Sequence, residues 1–113
     1  MTAINKVLLC GRVVDPGPKL TYTPEGSPQC RFTLCLEEMG KEGQAFKLFV
    51  PVLVYNTHAE WLAEHINSDD LVLIDGKLRF HSWIDKQGVK QSKLAVMGWQ
   101  VSLLVRTGAL STN

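Results

Sequence analysis

Asn56-Thr57-His58-Ala59-Glu60-Trp61-Leu62-Ala63-Glu64-His65-Ile66-Asn67-Ser68-Asp69-Asp70 is the stretch around which the rest of the chain arranges itself. Trp61, Leu62, His65 and Ile66 recur at helical spacing, which places Trp61 in the expected core. Asn56 or Thr57 can cap this helix, with Glu60 three residues after Thr57 completing a capping box. The turn formers 67–70 end it. On both sides the pattern changes to that of strands. Ile4–Val14 is dense in Val and Leu, and Pro16-Gly17-Pro18 interrupts it. Leu20–Thr23 is a short extension before the turn Thr23-Pro24-Glu25-Gly26. Cys30–Leu36 alternates, with Phe32, Leu34 and Leu36 on one side and Arg31, Thr33 and Cys35 on the other. Met39–Gln44 reads as a solvated loop, and Phe46–Tyr55 as a strand in which Pro51 predicts an edge or a bulge. After the helix come Leu71–Ile84, a hairpin turn at Asp85–Gly88, and Val89–Val105 with a bend at Gly98.

Three strands, one helix and two strands predict an all-β domain. The arrangement suits a five-stranded Greek-key barrel of the oligonucleotide/oligosaccharide-binding (OB) kind, with the short helix between strands 3 and 4 plugging one end. The domain is expected over residues 1–106, with 107–113 a short polar tail. At 113 residues, 45% of them hydrophobic, the chain has material for one modest core. No stretch has the roughly 20 apolar residues of a membrane span, and Met1–Lys6 lacks the apolar segment of a signal peptide. The expected compartment is the cytoplasm. Cys10, Cys30 and Cys35 lack a disulfide framework spacing and read as reduced structural thiols.

The net charge of +1 hides an asymmetry. Residues 56–75 carry Glu60, Glu64, Asp69, Asp70 and Asp75 with no Lys or Arg. Residues 76–113 carry Lys77, Arg79, Lys86, Lys90, Lys93 and Arg106 against Asp85 alone. A protein with one polyanion-facing surface shows such a division, as does one with two differently solvated faces. The strand after Gly76 speaks for the first. Lys77, Arg79, His81 and Trp83 share one side, opposite Leu78, Phe80, Ser82 and Ile84, and the apolar set is expected to fill the barrel. Cations for phosphates beside an indole for a base are the ingredients of sequence-tolerant single-strand binding. On the preceding strand Phe46, Leu48, Val50, Val52 and Val54 form the expected core face, leaving Lys47, Phe49, Leu53 and Tyr55 outward. Arg31 and Thr33 extend the surface. Trp83 is read as a stacking platform in preference to a cover for the hairpin. For Phe49 and Tyr55, stacking and burial in a subunit interface both stand.

These residues resemble the bacterial-type single-stranded DNA-binding proteins. Asn5-Lys6-Val7-Leu8-Leu9-Cys10-Gly11-Arg12 is similar to that family's opening Asn-Lys-Val-x-Leu-x-Gly-Asn/Arg, and Asp15-Pro16 with Leu20–Gly26 to its Asp-Pro-Glu-x-Arg-Tyr-Thr-Pro-x-Gly. Phe32-Thr33-Leu34, then Val72–Arg79, then Ser82–Gly88 continue the likeness in order, over roughly residues 4–105. The resemblance implies an OB barrel, assembly into dimers or tetramers, and stacking on Trp83, Phe49 and Tyr55. Together with the parity of the strands it yields a candidate site. Trp83, Tyr55 and Phe49 stack bases, while Lys77, Arg79, Lys90, Lys93, Lys47 and Arg31 hold phosphates. Single-stranded DNA is the expected partner, with RNA possible, in replication, recombination or repair.

Two departures stand out. Phe49-Val50-Pro51 replaces the family's usual Trp-His-Arg, and Thr107–Asn113 holds neither the family's linker nor its partner-recruiting acidic tip. The latter points to an accessory or stand-alone version. The rival reading is a protein-interaction module that docks replication proteins, with Phe49, Leu53 and Tyr55 as its contacts. Enzymatic function is not expected. His58, His65 and His81 show no metal-ligand spacing, and neither a phosphate-binding Gly-rich loop nor a Ser nucleophile elbow is present. No catalytic residue, metal or cofactor is therefore assigned.

Overall fold

In the computed structural model, which describes residues 2–106, the elements follow as β1 (Val7–Val13), β2 (Lys19–Tyr22), β3 (Pro28–Met39), β4 (Ala45–Tyr55), α1 (Thr57–His65), β5 (Leu71–Ile84) and β6 (Lys90–Val105). The strands are ordered β1-β5-β6-β4-β3-β2. Pairing of Arg12 with Cys35 and Val13 with Leu34 joins β1 to β3 and closes a barrel of five strands. β2 is a short hairpin partner for β3, from Lys19 opposite Arg31 to Tyr22 opposite Pro28. This is the expected barrel, with its helix between the third and fourth barrel strands.

Alternating residues of the strands fill the interior. Val13, Phe32, Leu34, Val52, Val54, Val72, Ile74, Val96 and Val101 form one buried cluster, and Ala59 and Leu62 of α1, with Ile66 just after it, close its end. The helix therefore uses a different stripe from the expected one. Trp61 is 37% exposed, stacked between His58 and His65 at centroid distances of 5.3 and 5.0 Å. Residues 59, 62 and 66 share a face that points inward, and 58, 61 and 65 share the stripe beside it. The capping box does not form. Asn56 takes the cap position at φ 66 without a side-chain bond, and Glu60 instead accepts a hydrogen bond from the Tyr22 hydroxyl.

The barrel is shorter than its longest strands. β5 pairs with β1 only from Leu71 to Gly76; beyond Gly76 it has β6 alone, and the two run on as a projecting ribbon. Leu78, Phe80 and Ile84, expected inside, are therefore exposed, Phe80 by 69%. The β3–β4 hairpin projects likewise. Met39 pairs with Ala45 across a short turn that begins one residue after the expected start of the loop, and Phe46 and Leu48, expected in the core, are exposed. Pro51 lies one residue before the β4–β6 pairing begins at Val52, where no second ladder needs its missing N–H. Trp99 is half exposed. It is the extra residue where the register shifts between Asp75–Gln100 and Gly76–Gly98. Among the cysteines Cys30 is buried as expected, whereas Cys10 is exposed on the outer side of β1.

Two predictions follow from these contacts. A Cβ at Gly76 would collide with the Met97 carbonyl, backbone that cannot give way, so Gly76→Ala should destabilise the fold by about 1–3 kcal/mol in urea unfolding. Val101 N–H donates to Nε2 of His58 at 2.9 Å, which requires a neutral ring, and burial lowers the His58 pKa. An unfolded histidine titrates near about 6.5, so below that pH the unfolded chain binds the extra proton and stability falls. The urea midpoint should drop as the pH is lowered from about 7 to about 5, and His58→Gln should show a smaller drop.

Candidate nucleic-acid interface

The outward positions of β3, β4, β6 and β5 make one continuous concave surface, because these strands are neighbours in that order. Its register is set by the turn at the ribbon's tip. The Asp85 carboxylate accepts hydrogen bonds from the backbone N–H groups of Gln87 and Val89 and from the Gln91 amide. That turn places Trp83 opposite Gln91, His81 opposite Lys93 and Arg79 opposite Ala95. Residues opposite each other in an antiparallel pair point to the same face. Lys93 therefore joins His81 and Trp83, whereas Lys90 sits opposite Ile84 on the other face.

A groove of about 500 Å³ runs across this surface. Pro51, Leu53 and Ala95 form its apolar floor, Arg31 and Thr33 of β3 one side, and His81, Trp83 and Lys93 of the ribbon the other. Asp15, Pro16 and Lys19, from the β1–β2 connection and the start of β2, close its end. Leu53, expected outward and accessible, does face this side but is only 2% exposed. It is covered because the flanking strands and the ribbon curl around the floor. Trp83 is 39% exposed and stacks on His81, with centroids 5.6 Å apart and planes at 27°. The His81 pKa is lowered by burial first, then by the nearby charges of Arg31, Lys93 and Arg79.

A second groove of about 260 Å³ shares Val14 and Asp15 with the first. It holds Lys47 and Phe49 together with Arg12, Cys35, Glu37 and Asp69. Phe49 is 61% exposed there. Arg79 and Tyr55 pair with each other between the elements of the main surface. The guanidinium carbon lies 5.6 Å from the Tyr55 ring centroid, and Nη1 donates to the Met97 sulfur at 3.4 Å. Lys77, opposite Met97, lines neither groove.

Of the nine predicted residues, then, Arg31, Lys93 and Trp83 meet in the main groove, Lys47 and Phe49 in the second, and Arg79 and Tyr55 in a cation–π pair. Lys77 and Lys90 lie apart. Lys19, Asp15 and Arg12 line the grooves without having been singled out. Lys19 is brought in by its pairing with Arg31, which only a β2–β3 hairpin in that register reveals. Arg12 arrives through the barrel-closing pair with Cys35. Among the described residues no group of three or more His, Cys, Asp or Glu could hold a metal ion, and no helix is long and apolar enough to cross a membrane. Chemically, the main groove offers spaced cations, an indole and an apolar floor. That set binds an anionic polymer carrying planar groups.

A family model described as "Single-strand binding protein family" matches residues 4–104. The single-stranded DNA-binding protein 2 of Clostridium acetobutylicum is 31% identical over 103 residues, covering 89% of this chain and 77% of that one. The single-stranded DNA-binding protein of Aquifex aeolicus is 35% identical over 107 residues, covering 91% and 71%. Among solved structures, one described as Plasmodium falciparum SSB complex with ssDNA superimposes with a TM-score of 0.79 over 92% of this chain and 97% of that one. At 17% sequence identity, this match speaks for the fold.

Proposed function

The chain belongs to the single-strand binding protein family, and from that premise we propose that it binds single-stranded DNA along the concave face of β3, β4, β6 and β5. One observation carries the assignment: Arg31, Lys93 and Trp83, from three different strands, converge on one open groove. Arg31, Lys93 and Lys19 hold backbone phosphates and Trp83 stacks a base. The second groove extends the track, with Phe49 as a platform and Lys47 and Arg12 as its cations. Tyr55 and Arg79 act together. The planar guanidinium already lying over the ring offers a base a stacking surface backed by a charge. Lys77 and Lys90 contribute long-range field only. Cations aimed at phosphates carry no sequence information, so binding has little base preference.

The protein acts by binding, without catalysis, and serves replication, recombination or repair by covering exposed single strands. It assembles with copies of itself. Leu8 and Leu104, exposed on the outer sides of β1 and β6, are apolar surface suited to that contact.

Titrating the protein with poly-dT should quench tryptophan fluorescence to saturation at low salt, and added salt should reverse it. Trp83→Phe should remove most of the quenching, since Trp61 and Trp99 lie outside both grooves. Trp83→Ala should weaken binding by about 1–3 kcal/mol. A folded protein that shows no quenching at low salt would end this reading. Lys93→Ala should weaken binding and reduce the salt slope by about 1, while Lys90→Ala should leave both close to wild type.

A further inference from the structure

The main groove contains one side chain whose charge changes near neutral pH. His81 sits on β5 between Arg79 and Trp83, opposite Lys93 of β6, with Arg31 of β3 and Lys19 of β2 across the groove. β4 presents Pro51, Val52 and Leu53 to it, none of them charged, and Asp15 is the one acid among the lining residues. The other two histidines are committed elsewhere, His58 Nε2 to the Val101 N–H and His65 Nδ1 to the Trp61 carbonyl. The His81 ring has its face on Trp83, and among the described residues its nitrogens have no hydrogen-bond partner.

We propose that His81 is a phosphate-binding residue that takes up a proton when single-stranded DNA enters the groove, so that affinity rises as the pH falls. The inference rests on the function proposed above and adds to it a coupling between proton and ligand. In the empty groove, burial and the surrounding cations hold His81 neutral at pH 7, as its lowered pKa reflects. A phosphodiester brought in by Arg31 and Lys93 reverses the sign of the local field. The imidazolium then becomes the favoured form and donates a hydrogen bond to a phosphate oxygen. Linkage is reciprocal: if DNA raises the proton affinity of His81, protons raise the DNA affinity of the protein by the same factor. The gain is absent above the bound-state pKa, grows as the pH falls through it, and levels off below the free-state pKa. Were His81 merely a neutral ring extending the Trp83 stack, binding would not respond to pH.

The test is anisotropy of a rhodamine-labelled dT oligomer titrated with the full chain at fixed ionic strength, from about pH 8 to about pH 6. Thymine has no group that titrates there, so the slope reports the protein. Wild type should bind about 3–10-fold more tightly at the lower pH. His81→Gln should be flat across the range, and His81→Arg should be flat and tighter than wild type at the upper end. Tight wild-type binding that is equal at both ends, or a His81→Gln variant that keeps the wild-type slope, overturns the inference and leaves the function standing. Absence of binding at every pH overturns both.

Discussion

Where β5 passes β6 at Gly76, the two backbones approach so closely that no Cβ fits against the Met97 carbonyl, and this contact divides both strands into halves with different tasks. On one side, Val72 and Ile74 pack into the barrel against β1 and α1. On the other, β6 keeps its pairing with β4 as far as Val96, and beyond it the two strands leave the barrel as a two-stranded ribbon. A ribbon of that kind is marginal by itself, and here the barrel anchors its base while the Asp85 turn pins its tip. Its concave side can then carry Trp83, His81 and Lys93 without burying charge. The same geometry leaves Leu78, Phe80 and Ile84 exposed on its back.

The groove gathers Arg31, Lys93 and Lys19 around His81 with only Asp15 to offset them. Like charges a few ångströms apart repel by about 1 kcal/mol per pair even in water-like surroundings. The folded chain bears that repulsion without a partner, supported by a core that lies entirely on the other side of the sheet. A polyanion converts the repulsion into attraction, a difference the protein realises only on binding. Arg79 avoids the conflict by another route: its guanidinium rests on Tyr55 and the Met97 sulfur, held at the edge of the groove and desolvated in advance on one face.

Alternation along strands correctly separated Arg31, Arg79, His81 and Trp83 from the apolar positions, since side-chain parity is a property of the strand alone. Parity says which face a residue takes but not how far the barrel extends along it. Hence Leu78, Phe80, Phe46 and Leu48 were expected in a core that ends before reaching them, and Leu53 was expected accessible where neighbouring strands cover it. The observed register places Ile84 opposite Lys90 and His81 opposite Lys93, because Asp85 pairs with Val89. Counting outward from the expected turn at Asp85–Gly88 is one residue out and pairs Trp83 with Lys90. The helix did carry a signal, a second apolar stripe at Ala59, Leu62, Ala63 and Ile66 that excludes Trp61. Lys19 joins through the β2–β3 hairpin and its register, and Arg12 had no signal, because it joins the site through the barrel-closing pair with Cys35.

The division between the grooves also bears on how a strand of DNA would run. Asp15 stands where the two meet, and its carboxylate repels a phosphate at that point. A backbone following the cations therefore bends away from the β1–β2 connection and keeps to the side of Arg31 and Lys93, turning its bases toward Trp83 and the apolar floor. Past Asp15 lie Arg12 and Lys47, with Phe49 beside them and the acidic residues Glu37 and Asp69 lining the same groove. The charges therefore favour a phosphate in the main groove, where Arg31, Lys93 and Lys19 face Asp15 alone, over the second, where Arg12 and Lys47 face Asp15, Glu37 and Asp69, and they do so without reading any base.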